Sequence, residues 1–140
     1  MTLEALKAAD HLAADGVSAE VIDLRTIKPW DSSRVLASVR KTGRLVVADT
    51  SWHSYGVAAE IVATVAERCL QDLRSAPERV ASPDCPSPTS RWLAAEFYPR
   101  AGHIDIAARK TLGLKPETDL LAPSPGQNLD VPDPSFKGPF

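Results

Sequence analysis

A three-layer α/β/α fold around a mostly parallel sheet is the architecture this sequence predicts, and two observations predict it. Segments with helical periodicity alternate with short strand-like segments along the chain, the order that βαβ crossovers produce. Two of the strand-like segments, the one carrying Val21, Ile22 and Leu24 and RLVVAD, show buried-strand patterns that suit a sheet covered on both faces.

The first element is a helix over residues 3–14, LEALKAADHLAA, with Leu3, Leu6, Leu12 and Ala9 or Ala13 along one face and Asp15-Gly16 as its stop. Ser18–Leu24 follows as a strand carrying Val21, Ile22 and Leu24. A connection through Lys28-Pro29 leads to Asp31 or Ser32 as the cap of a second helix. Its Val35, Leu36 and Val39 fall at helical spacing before Thr42-Gly43 ends it. Arg44–Asp49, RLVVAD, reads as the most buried strand, and Thr50–Tyr55 as the loop beyond its carboxyl end. Gly56 opens a long helix, GVAAEIVATVAERCLQDL, apolar around most of its circumference and so expected to be covered on two sides. Glu78–Ser82 is a third strand, PDCPSPTS a loop, and Arg91–Phe97 and His103–Leu112 two last helices. These elements give a domain over residues 1–114. From Lys115 onward lie six of the twelve prolines and no hydrophobic periodicity, which predicts an extended arm over residues 115–140.

Composition narrows the function. With 16 basic and 18 acidic residues and a net charge of −2, and no run of Lys or Arg, the chain offers no stripe for a phosphate backbone, so nucleic acid is not an expected partner. It has no apolar run of the roughly 18–20 residues that cross a bilayer and no signal-peptide start, so the cytoplasm is the expected location. Cys69 and Cys85 sit at no metal-ligand spacing and are expected to be reduced thiols.

Four stretches, in order and at matching distances, carry a resemblance. VIDLRTIKPWD, KTGRLVVADTSW, GVAAEI, and RVASPDCPSPTS followed by FYP resemble the C-terminal domain of the beta subunit of thiamine-diphosphate-dependent 2-oxoacid dehydrogenases. Transketolases and 1-deoxyxylulose-5-phosphate synthases are more distant relatives of that family. The resemblance covers nearly the whole chain and implies a transketolase C-terminal-like fold lacking its first strand, since the family has a strand before the first helix. It implies a domain for assembly: thiamine diphosphate and Mg are held by other domains and chains of the assembled enzyme, and this chain binds neither alone. It also implies a homodimer, contact with subunits carrying the cofactor site, and surface presented to a dihydrolipoyl acyltransferase. The FKGPF ending is similar to that of many bacterial beta subunits, and Phe136 and Phe140 are expected to dock the arm on a neighbouring subunit.

Few residues suggest chemistry of their own. Trp52, His53 and Tyr55 fall past the carboxyl end of a strand, where open α/β sheets place ligands. His53 is the one general acid/base candidate, set against a structural or interface role. Trp52 and Tyr55 are either contact aromatics or core filler. Glu60 complements the dipole at its helix start and, by the resemblance, is an interface residue. Asp23 and Arg25 read as an ion pair ordering the turn before Pro29, set against a substrate clamp, Asp84 and the PSPTS loop as a strand end and a cap for the helix at Trp92, set against a phosphate site, and His11 as solvated. Three functions remain: a piece of a 2-oxoacid dehydrogenase active only with chains carrying the cofactor domains, a non-catalytic interaction or regulatory module descended from it, and a small enzyme using His53 on a phosphorylated ligand.

Overall fold

The structure, a computed structural model, describes residues 1–90, 93–94 and 97–118. Its elements run α1 (Thr2–Ala14), α2 (Ser32–Thr42), β1 (Val46–Trp52), α3 (Val57–Cys69), β2 (Glu78–Ser82) and α4 (Ala101–Leu112), with a 3₁₀ turn at Leu70–Asp72. The local reasons are mostly those read from the sequence. Asp31 caps α2, its carboxylate accepting the Arg34 N–H at 3.0 Å. Gly43 closes α2 in the left-handed region at φ 71°, with its N–H on the Val39 carbonyl. Such a conformation suits glycine because it has no Cβ to clash. Cys69 is buried, Cys85 is exposed, and neither is in a disulfide.

β1 and β2 pair in parallel, Val46 opposite Glu78 and Ala48 opposite Val80, with a shift in register before Trp52 meets Ser82. Side chains alternate across β1 because the pleat has a period of two. Val47, with Leu45, faces a cluster built by Val35, Leu36 and Val39 of α2 and Ile61, Val65 and Cys69 of α3. Val46 and Ala48 face the opposite cluster, Ala8 of α1 and Ala101, Ile104 and Ala107 of α4. Helices therefore cover both faces of a parallel sheet, and the fold is the α/β class expected.

Four details differ from the expectation. Ser18–Leu24 is not a strand: Ile22 and Leu24 pack on the α2–α3 cluster, but among the described residues no strand lies beside the segment to complete a ladder. β1 extends to Trp52, and its first four residues are half-buried rather than the most buried in the chain, because only one of its edges is paired. α1 turns Ala8 and Leu12 inward and leaves Leu6 46% exposed, since the small Ala5–Ala8 face lets α1 approach α4 and the sheet closely. The helix after Gly56 stops at Cys69 and buries one stripe, Ala58, Ile61, Val65 and Cys69, so within this chain it is covered on one side. In the Arg91–Phe97 stretch, Leu93, Ala94 and Phe97 are helical, and the other four residues lie outside the described ones.

Candidate functional site

The carboxyl end of β1 is built as a tied loop. The His53 N–H donates to the Ser82 carbonyl at 2.8 Å, which continues the β1–β2 ladder by one residue. The Arg79 guanidinium donates to the His53 carbonyl at 2.7 Å. Asp84 then receives both groups of Ser54, the N–H at 2.8 Å and the hydroxyl at 2.6 Å. Those two hydrogen bonds, the hydroxyl's first, hold the Asp84 carboxyl below the usual carboxylate range. Asp84 thus does more than end a strand: it clamps the loop.

The clamp fixes a turn in which Tyr55 has φ 59°, a left-handed conformation that costs a non-glycine residue roughly 1–2 kcal/mol. Its consequence is presentation. Tyr55 is fully exposed and Trp52, the last residue of β1, is 56% exposed, so neither fills the core of this chain. His53 is exposed as well, and its ring makes no hydrogen bond among the described residues. Glu60 is exposed in the first turn of α3. Asp23 and Arg25 form the expected pair, Nε to carboxylate at 2.7 Å, mostly in solvent, where such pairs contribute little. Phe136 and Phe140 lie outside the described residues.

Gly56 explains how tightly the loop rejoins α3. A Cβ there would meet the Ser51 hydroxyl and come within 2.5 Å of the Trp52 carbonyl, which is backbone and cannot swing away. Gly56→Ala is expected to destabilise the chain by about 1–3 kcal/mol, the range for overpacking, read as a lower denaturation midpoint. An unchanged midpoint would show that the loop can shift.

A second polar cluster, not recognised in the sequence, joins α1 to α4. Asp105 is fully buried and receives His11 Nδ1 at 3.1 Å and Arg109 Nε at 2.7 Å. Arg109, 5% exposed, also pairs with Asp15 and, at 3.3 Å, with Glu117. His11 is therefore an interhelical partner rather than a solvated side chain. The hydrogen bond to Asp105 raises the His11 pKa above its ordinary 6.5, and the one from Arg109 lowers that of Asp15. The sign follows from linkage. Because the folded His11 pKa lies above the unfolded one, its contribution is fully present below pH 6.5 and is lost as pH rises through the raised value. Urea midpoints are expected to decline over that interval, and His11→Gln is expected to flatten the decline. An equal slope in the variant would remove His11 from the account.

Two covering helix layers, a parallel sheet and a clamped aromatic loop at the strand ends define the class: an α/β/α domain that presents its strand-end loop outward. Within that class, the chain belongs to the transketolase C-terminal domain family, whose model matches residues 1–104. It is 44% identical over 114 residues to the pyruvate dehydrogenase E1 component subunit beta of Bacillus subtilis, covering 80% of this chain and 34% of that protein. It is 43% identical over 112 residues to the acetoin:2,6-dichlorophenolindophenol oxidoreductase subunit beta of Cupriavidus necator, covering 80% and 33%. Against the mitochondrial pyruvate dehydrogenase E1 component subunit beta of Caenorhabditis elegans the identity is 42% over 110 residues, covering 78% and 31%. The chain spans about a third of the length of the curated relatives it matches.

Proposed function

We propose that this chain is the C-terminal assembly domain of a thiamine-diphosphate-dependent 2-oxoacid dehydrogenase beta subunit. It supports oxidative decarboxylation only together with chains that carry the cofactor domains. The observation that carries the reading is the family match over residues 1–104 joined to 44% identity with a pyruvate dehydrogenase beta subunit. Thiamine diphosphate and Mg belong to the partner chains in this reading.

What the domain offers is surface. Trp52 and Tyr55 are rigid amphipathic aromatics held in solvent by the Asp84 clamp, the residue type enriched at protein contacts. With Glu60, on the exposed first turn of α3, they form the proposed contact with a second copy and with the cofactor-bearing subunits. Residues 1–114 are the domain in this account, and residues 115–140 an arm that docks through Phe136 and Phe140, with the dihydrolipoyl acyltransferase as a further partner. Among the described residues no helix is long and apolar enough to cross a membrane, and the cytoplasm is the proposed location.

A pull-down of the tagged chain from its native extract tests this. Co-purification of subunits bearing the cofactor domains, with thiamine-dependent 2-oxoacid decarboxylation in the eluate, supports it. Recovery of the chain alone would favour a non-catalytic module instead.

A further inference from the structure

Among the described residues, one polar side chain ties the connection leaving α4 to the body of the domain. The Leu114 N–H donates to the Arg109 carbonyl at 3.0 Å, after which Lys115, Pro116 and Glu117 make no backbone hydrogen bond among those residues. The tie is the Glu117 carboxylate, 3.3 Å from an Arg109 Nη and 3.6 Å from His11 Nε2. Glu117 thereby joins the polar cluster between α1 and α4.

His11 stands between two carboxylates, with Nδ1 3.1 Å from Asp105 and Nε2 facing Glu117. A neutral imidazole carries one N–H and the imidazolium two. With the second proton gone, a ring lone pair points at one carboxylate or the other. Asp105 is fully buried and would lose a hydrogen bond that water cannot replace, whereas the Glu117 side chain is 47% exposed and can turn to solvent. The N–H therefore stays on Asp105, and Glu117 is the partner that lets go. Charge selects the same residue. Once His11 is neutral, the three carboxylates of the cluster, Asp105, Asp15 and Glu117, share Arg109, whose Nη beside Glu117 holds Asp15 more closely. Asp15 is also fixed through its own N–H, which donates to the Leu12 carbonyl at the end of α1. The other charged groups of α1 near the ring are Lys7, one turn earlier and 3.6 Å from Glu4, and Asp10, which is exposed.

We propose that Glu117 is the catch of a pH-gated latch: protonated His11 seats the Leu114–Glu117 segment against α1, and neutral His11 releases it. The direction in which the chain leaves the domain is then set by pH. The His11 pKa stands above its ordinary 6.5, with the Asp105 hydrogen bond as the larger cause and Glu117 as a smaller one. The seated state therefore persists above pH 6.5 and is lost as pH rises through the raised value. This inference rests on the cluster alone and is independent of the proposed function.

The test is the mobility of a spin label one residue past the catch, in the full chain. Thr118→Cys carries the label, and Cys85→Ser confines it to that position, Cys69 being buried. Neither change alters a charge of the cluster. Between about pH 5.5 and about pH 9, the ratio of slow to fast label is expected to fall about fivefold, the factor that one ion pair at this separation supplies in a water-like medium. Its midpoint is expected to coincide with that of the His11 imidazole followed by nuclear magnetic resonance. Glu117→Gln, a change at the surface, is expected to leave the label fast at every pH and to lower the His11 midpoint, because the coupling is reciprocal. His11→Gln is expected to abolish the pH dependence. A label equally slow at both ends of the range, a transition apart from the His11 midpoint, or a pH response that survives Glu117→Gln would overturn the inference.

Discussion

Asp105→Ala is expected to destabilise the domain by about 3–5 kcal/mol, the range for breaking a buried ion pair from one side. Asp105 hydrogen-bonds both His11 and the Nε of Arg109, and it does so with no solvent contact of its own. Removing it leaves Arg109 buried, answered among the described residues by Asp15 and Glu117, which are about half exposed. For a domain of this size the loss corresponds to a melting temperature lower by at least about 10 °C. The cost is one of desolvation, so removing both charges relieves it. Asp105→Leu combined with Arg109→Leu is expected to lose much less than Asp105→Ala alone. Equal losses in the single and double variants would mean that the pair contributes through packing and not through charge.

Leu36→Ala is expected to cost about 2–5 kcal/mol through lost transfer energy and the cavity left behind. Leu36 is 6% exposed on α2 and belongs to the cluster that joins α2, α3 and one face of the sheet. The same replacement at Leu6, 46% exposed on α1, is expected to stay within about 0.5 kcal/mol. Comparing the two leucines separates burial from side-chain type. Denaturation midpoints that fall together would contradict the placement of the core on the inner face of α2.

These expectations show where sequence reasoning reaches. α2 was legible to within one residue at its cap, where Asp31 or Ser32 stood open, because Gly43 and the Val35–Leu36–Val39 spacing are local signals that the fold does not override. β1 was legible as an apolar run and β2 as a strand with the observed bounds, although β1 continues to Trp52, which pairs with Ser82. Ser18–Leu24 has the same apolar character and is no strand, since a strand exists only with a neighbour to bond. Leu6 has the side chain of a core residue, yet the close α1–α4 approach is made by small ones.

The polar cluster was hidden for a different reason. Asp105 and Arg109 stand four apart, the spacing of an ordinary solvated pair on a helix surface. What makes them special is burial against His11 and Asp15, 94 residues away in each case. The available signal was that this pair interrupts a helix otherwise rich in Ala and Ile. At the strand ends, His53 and Tyr55 fall beyond the sheet as expected while Trp52 is the last residue of β1, and the Asp84 clamp that holds their loop required the fold to bring residue 84 beside residue 54.

Reconstitution from purified parts tests the central claim most directly. The chain is mixed with chains supplying the thiamine diphosphate domains, and decarboxylation of 2-oxoacids is followed with thiamine diphosphate and Mg present. The account predicts turnover in the complete mixture and none with this chain alone or with this chain left out. Full turnover without the chain, or decarboxylation by the chain on its own, would contradict it.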